Sequence, residues 1–310
     1  MKLSGDRQKL KRGIMNLAEY LKSKKKVVDN ALKDIIEEYA PLVSRLVESM
    51  RYSLMAGGKR LRPILCMAGA TAVGANDNDV LPVACALELI HTYSLIHDDL
   101  PVMDNDDLRR GKPTNHKVFG DAIAVLAGDA LLTEAFHLIT SDQARDKVSD
   151  SALLDALSLI SRAAGYRGMV GGQAADILSE GKNLDLSAVK FIHTHKTGAL
   201  IMASVTSGAI LGNGSNDQIQ AIAEYGQNAG LAFQIADDIL NIEGDSKTMG
   251  KNVGSDEERG KMTYPEVAGL EKSKEIQSKL VDKAVNALRD FDKSADPLRL
   301  IVHYIIERHK

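Results

Sequence analysis

The chain has 310 residues, enough for one large domain or two ordinary ones. Its 39 basic and 42 acidic residues leave a net charge of −3, which argues against nucleic acid as a main partner. Hydrophobic residues make up 44% but aromatics only 4%, with no Trp. That balance favours close-packed helices over strands, which prefer β-branched and aromatic side chains. Cys66 and Cys85 both fall in apolar runs and read as buried thiols in a reducing compartment. The N-terminus is charged, and no run is read as approaching the roughly 18 apolar residues of a membrane span. A soluble cytoplasmic protein is the expectation.

Residues 1–26 are polar, ending in Lys24-Lys25-Lys26, and read as a peripheral, partly ordered helix laid on the surface. Val27 to Met55 carries apolar residues at helical spacing (Leu32, Ile35, Ile36, Tyr39, Leu42, Leu46, Met50), with Pro41 bending or dividing it. Ala56-Gly57-Gly58-Lys59-Arg60-Leu61-Arg62-Pro63 breaks that helix, and a new one is expected near Pro63. Three cations beside a helix start suit an anion, or are solvated charges on a turn.

Pro82 to Asp99 reads as a long apolar helix. It runs straight into LIHDDLPVMDNDDLRR, with Asp at 98, 99, 104, 106 and 107 and then Arg109-Arg110. Ser94 lies about one turn below Asp98, His91 about two, and Tyr93 is rotated partly around. Acids at a helix C-terminus oppose its dipole, so something positive should compensate them. On a regular helix Asp98 and Asp104 point about 120° apart, and they share a metal only if the helix end is irregular. Pro101 is a cause for that.

Gly120 to Thr140 and Ser151 to Val170 follow as helices, then Gly171-Gly172-Gln173-Ala174-Ala175-Asp176, with Gln173 and Asp176 on one face. Leu186 to Leu211 contains His193-Thr194-His195-Lys196-Thr197-Gly198. A Lys inside an apolar helix needs a partner, either an anionic ligand or a protein carboxylate. In Ile219 to Ile242, Gln234, Asp237 and Asn241 make one polar stripe beside Asp238, which is costly unless it binds something. Gly244 to Pro265 has no periodicity and carries Lys251 and Lys261. Val267 to Asp290 and Pro297 to Lys310 close the chain as amphipathic helices, the last ending in a basic tail. The whole reads as all-α, about ten helices, in one domain spanning 1–310.

Two acidic sites, Asp98/Asp104 and Asp237/Asp238, on separate helices offer hard oxygen ligands if they face each other. Mg²⁺ suits them, because it commonly bridges one or two carboxylates to phosphates. Lys59, Arg62, Arg109, Arg110, Lys196, Lys251 and Lys261 could clamp a diphosphate. Ala-rich helical walls leave an apolar slot between. A diphosphate head with an apolar tail describes an isoprenoid diphosphate.

From Gly57 onward the sequence resembles the trans-isoprenyl diphosphate synthases, most closely the bacterial short-chain farnesyl diphosphate synthase group. GGKRLRP at 57–63, DDLPVMD at 98–104 with RR at 109–110, GGQAADI at 171–177, KTG at 196–198 and FQIADDIL at 233–240 follow the family's order. The resemblance implies an isoprenoid synthase-type bundle around a central cavity and a homodimer. It implies that Asp98, Asp104 and Asp237 hold Mg²⁺, three ions with bound diphosphate, which Mn²⁺ can replace. Arg109, Lys196, Lys251 and Lys261 would bind the allylic diphosphate, and Lys59, Arg62, His91 and Arg110 isopentenyl diphosphate. Thr197 and Gln234 would line the site of the allylic cation. The implied reaction is ionisation, condensation and proton loss. Residues four and five before the first Asp, Ser94 and Tyr93, would set product length. Tyr93 resembles the floor of a farnesyl diphosphate synthase, with geranylgeranyl diphosphate as the alternative. One departure is Asn241, where the second motif usually ends in Asp, and weaker metal binding is expected there. A class I terpene cyclase or a non-catalytic helical partner subunit are the remote alternatives.

Overall fold

The computed structural model describes residues 15–37, 40–243 and 262–307. Its first helix, α1 (Leu17–Ile35), is capped by Asn16, whose side chain accepts from the amides of Ala18 and Glu19. It runs the helix expected within residues 1–26 unbroken into the one expected from Val27, and it packs into the core instead of lying on the surface. The Lys run conceals an apolar stripe that places Leu17, Tyr20 and Leu21 against the core, followed by Val28 and Leu32. Residues 1–14 lie outside the described part. Pro41 divides this region as expected, opening a short turn at Pro41–Val43 before α2 (Ser44–Leu54).

Helices α3 (Leu61–Ala72) and α4 (Leu81–Asp98) are the buried centre. Successive residues of α4 from Val83 to Ile90 are almost wholly excluded from solvent. After α4 the chain makes a two-residue hairpin, Leu108–Arg109 paired antiparallel with Lys112–Pro113, around Arg110 and Gly111 at positive φ. Then come α5 (Asn115–Phe119), α6 (Asp121–Ile139), α7 (Asp142–Arg145) and α8 (Asp150–Ala164). The helix expected over 151–170 ends at Ala164, because Gly165 and Gly168 interrupt it, and α9 (Met169–Ser179) absorbs the glycine motif.

The helix expected over 186–211 is really three pieces. α10 (Leu186–His193) and α11 (Ala199–Leu211) flank a π-helical turn, Thr194–Gly198. Long α12 (Asn216–Glu243) follows, then α13 (Tyr264–Ala268), α14 (Leu270–Ala287) and α15 (Asp296–Glu307).

Packing is helix on helix. α4 lies along α6, α11 along α3, and α12 is sandwiched between α11 and α14. Helices α3 and α11 cross in contact because Gly69 and Gly208 lack side chains. A Cβ at either would strike the backbone oxygen of Val205 or Cys66. Cys66 and Cys85 are free and buried, and burial pushes each thiol up to about 12.

The stretch Asp121–Arg145 corrects one expectation. A window of it has a mean hydropathy of 1.6, long and apolar enough to cross a membrane. Asp129 and Glu134 interrupt the apolar run but do not lower its average enough to hide it. In this fold the stretch packs against α4 and is 39% buried.

Candidate active site

Helix α4 stops at Asp98 and the chain wraps back over its own end. The Leu100 amide donates to the His97 carbonyl at 3.2 Å, and the Asp104 amide donates to the Asp98 carbonyl at 2.8 Å. Asn105 then takes a positive φ of 50°. This wrap, with Pro101 inside it, brings Asp98 and Asp104 into each other's field where a regular helix would part them. Burial, and the charges of Asp104 and Asp99, push the Asp98 carboxyl up to about 6, against the pull of Lys196 and Arg109. Two carboxylates held together at the end of a helix, with its dipole also opposing them, call for a cation.

Of the other acids of this stretch, Asp99 and Asp106 serve Arg109, while Asp107, read with them from the sequence, turns to a lysine. Asp99, only 3% exposed, accepts from Arg109 Nε at 2.8 Å through both oxygens, and Asp106 stands 3.7 Å from the same guanidinium. Asp107 pairs with Lys117 at 2.7 Å. Arg110 donates to the Gly57 carbonyl, and its guanidinium fills the space a side chain on Gly58 would take.

A concentrated positive field lies behind. Burial drives the His91 ring well below the ordinary histidine pKa, and Arg62, Arg110, Arg109 and Arg60 all push in the same direction, so it is neutral. Burial also pulls Arg62 down to about 10, against Glu88 and Asp237. The Arg62 Nε has no hydrogen-bond partner among the described residues. An orphaned guanidinium N–H in a cationic pocket fits an anion. Lys59 lies exposed beside this pocket.

The π turn carries Lys196 and Thr197. Gly172 allows α9 to press on the Lys196 backbone, and Asp176 accepts from Lys196 Nζ at 2.6 Å. Gln173, placed on the same face as Asp176, has no hydrogen-bond partner for its buried amide among the described residues. Lys196 also acts on Asp98, so it links the two sides of the site. Thr197 donates to Gln234 Oε1 at 2.9 Å. Asp237 and Asp238, neighbours about 100° apart on α12, go separate ways. Asp237 acts on Arg62. Asp238, 3% exposed, takes Gln234 Nε2 at 3.3 Å, His193 Nε2 at 3.1 Å and the Tyr264 amide at 2.9 Å. Lys251 and Lys261 lie outside the described residues.

Tyr93, 6% exposed, stands edge-on to His97 with ring centroids 5.7 Å apart. His97 is held in turn 3.0 Å from the Val125 carbonyl, in a notch left by Gly128. Burial and the nearby Asp98 push the Tyr93 hydroxyl up to about 12, so it is neutral. Ser94 hydrogen-bonds the His91 carbonyl at 2.9 Å instead of packing across the helix pair. One turn further down, Leu89 and Ile90 are fully buried.

Sequence reasoning missed two residues here. Arg60 reads there as one cation among three, and His193 only as part of the run before Lys196. Both are buried against carboxylates.

The family model described as polyprenyl synthetase matches residues 43–302. The farnesyl diphosphate synthase of Geobacillus stearothermophilus is 47% identical over 294 residues, covering 95% of this chain and 98% of that protein. The chloroplastic heterodimeric geranylgeranyl pyrophosphate synthase large subunit 1 of Arabidopsis thaliana is 48% identical over 293 residues, covering 93% of this chain and 78% of that one. The apo crystal structure of an FPP/GFPP synthase from Zymomonas mobilis superposes with a TM-score of 0.85 at 39% identity, covering 94% of this chain and 99% of that chain.

Proposed function

The chain belongs to the polyprenyl synthetase family, and on that premise we propose that it condenses isopentenyl diphosphate with dimethylallyl and geranyl diphosphates to give all-trans farnesyl diphosphate. The observation that carries this is the junction of Asp98 with Lys196, and of the adjacent Thr197 with Gln234, at the end of a helix whose residues 83–90 are buried.

Asp98, Asp104 and Asp237 are the residues to hold Mg²⁺. Among the described residues no three His, Cys, Asp or Glu side chains converge as a ready cage. Such sites suit an ion that takes its remaining ligands from substrate oxygens and water. When bound, the metal supplies charge neutralisation for the departing diphosphate. Lys196 and Arg109 face the allylic diphosphate and stabilise the same developing charge. Arg62, Arg110 and Lys59 bind the isopentenyl diphosphate, with neutral His91 among the arginines. Thr197 and Gln234 present oxygen dipoles to the allylic cation, and the buried helical walls keep water from capturing it. The diphosphate that leaves is the group placed to receive the proton lost at the end.

The metal side contributed by α12 ends in Asn241, an oxygen donor without charge. Asn241→Asp is expected to lower the Mg²⁺ concentration for half-maximal turnover several-fold. A titration curve that does not move would show that position 241 takes no part in metal binding.

Tyr93 is the proposed floor. Tyr93→Ala should shift the main product from farnesyl to geranylgeranyl diphosphate, and little further, because Leu89 and Ile90 are fully buried one turn below. Chromatography of the dephosphorylated products from isopentenyl plus dimethylallyl diphosphate decides it. Wild type making geranylgeranyl diphosphate would favour the second reading, which the 48% identity to the Arabidopsis thaliana subunit keeps in play. A Tyr93→Ala profile identical to wild type would remove Tyr93 from the role. Turnover without isopentenyl diphosphate would point instead to a cyclase.

We also read the chain as a homodimer. Helix α6 turns Val125 and Leu126 outward, 39% and 51% exposed, on a helix of high hydropathy.

A further inference from the structure

His193 is used by nothing in the scheme above, yet it is buried beneath it. Its Nδ1 faces the Val189 carbonyl at 2.8 Å, and its Nε2 faces the Asp238 carboxylate at 3.1 Å. Both neighbours are oxygens, so the geometry places each ring nitrogen to donate, an arrangement that gives the ring a positive charge. Burial opposes that charge, but hydrogen bonding and attraction to Asp238 outweigh it and hold the ring above the ordinary histidine pKa.

The consequences run outward in a fixed order. Asp238 accepts from both amides that reach it. It receives His193 Nε2, the Tyr264 amide and one amide hydrogen of Gln234. Gln234 must therefore turn its Nε2 to Asp238 and its Oε1 to Thr197. Thr197 has one hydroxyl proton, and that proton goes to Gln234 Oε1 at 2.9 Å. Only oxygen lone pairs remain on Thr197 for whatever lies on its other side. Tyr264 adds a steric brace, its ring edge-on to His193 with centroids 5.3 Å apart.

We propose that His193 and Asp238 are positioning residues that lock the Thr197–Gln234 pair with oxygen lone pairs toward the allylic cation. This rests on the prenyl-transfer reading of the site. A Gln234 amide free to flip would let the Thr197 hydroxyl turn its proton to the cation, replacing an attractive dipole with a repulsive one. It would also invite water to satisfy the freed groups, and water captures the cation as a prenyl alcohol. The Tyr264 amide is the first of its helix, so the same carboxylate pins α12 to the start of α13.

The test is a double-mutant cycle on the full-length protein with Mg²⁺. Wild-type farnesyl or geranylgeranyl diphosphate formation comes first, and its absence would refute the prenyl-transfer reading itself. His193→Phe keeps a ring against Tyr264 but removes the donor. It should lower kcat about tenfold, leave both KM values within about twofold because the arginines and Lys196 are untouched, and raise the fraction of allylic substrate released as alcohol. His193→Gln, whose amide nitrogen reaches about where Nε2 sits, should restore most of both. In a Thr197→Val background His193→Phe should have no further effect. Additive losses in the cycle, failure of His193→Gln to rescue, or an unchanged alcohol fraction in a folded His193→Phe protein would each overturn the proposal. If His193→Phe does not fold, the same cycle with Asp238→Asn carries the same expectations.

Discussion

Asp98→Asn should abolish prenyl transfer and yet make the metal-free protein harder to unfold. The Asp98 carboxyl is pushed from an ordinary 3.8 up to about 6, first by burial and then by Asp104 and Asp99, with Lys196 and Arg109 only partly compensating. A carboxyl whose folded pKa is raised favours the native state at low pH. That contribution is fully present below the unfolded value and is lost as pH rises through about 6. At pH 7 the ionised group is therefore a cost. A shift of that size converts to roughly 3 kcal/mol at most, and solvent screening at a partly open site reduces it to about 1–2 kcal/mol. Asparagine removes the charge at nearly constant volume, so that amount should reappear as stability in EDTA. The gain should fade toward zero below about pH 4, where Asp98 is protonated in both states. Activity should move the other way, because a lost carboxylate ligand removes electrostatic help worth several kcal/mol, on the order of a thousandfold in kcat. Urea unfolding in EDTA at two pH values and turnover with saturating Mg²⁺ measure both. An Asn variant less stable than wild type at pH 7, or one within tenfold of wild-type kcat, would contradict this account. The opposite signs expected are those of a site strained for binding, where stability is given up for function.

Much of the site was legible because its chemistry is carried by charged residues in places where charge is expensive. Asp98 at the end of a helix as apolar as α4, and Lys196 inside another apolar helix, are visible from composition alone. What sequence does not show is direction. Asp98 and Asp104 converge only through a backbone bond from residue 104 to residue 98, and Pro101 signals irregularity without saying which way the chain turns. The π turn at Thr194–Gly198 escaped notice because one extra residue in a helix barely disturbs an apolar pattern, while rotating Lys196 and Thr197 into place. Asp238 was grouped with Asp237, although adjacent helix positions point about 100° apart. That rule was available and would have separated the outward acid from the buried one. The burial of Leu17, Tyr20 and Leu21 was masked for a different reason. The lysines of α1 are long enough to reach solvent or an ion pair, as Lys24 does with Asp77, while their helix buries the opposite face.

Arg60→Ala should be among the most damaging substitutions in the chain, although Arg60 stands between two cations assigned to substrate. Its side chain is almost wholly buried. It donates to Glu88 Oε1 at 2.7 Å, to Asp29 Oδ1 at 2.8 Å and to the Leu54 carbonyl at 2.7 Å. Its own backbone takes a φ of 52° at the cap of α3, a left-handed conformation that costs about 1 kcal/mol or more for a non-glycine residue. Removing the guanidinium strands Glu88, 2% exposed, as an unpaired charge in the core, and orphans the Leu54 carbonyl. Breaking a buried pair from one side costs about 3–5 kcal/mol, a large share of the stability of an ordinary domain. The cause is the stranded partner, not an intrinsic value of the ion pair. Arg60→Met with Glu88→Leu should therefore recover most of the loss in urea midpoint. What the double variant should not recover is the site. Arg60 ties the turn that carries Gly57, Gly58 and Lys59 to α4 and α1, and Gly57 in turn receives Arg110. KM for isopentenyl diphosphate should stay raised, while KM for the allylic substrate, held from Lys196 and Arg109, should change little. If the double variant is as unstable as Arg60→Ala, the stranded-charge explanation fails. If both KM values rise together, Arg60 supports the fold generally and does not specifically hold the isopentenyl side.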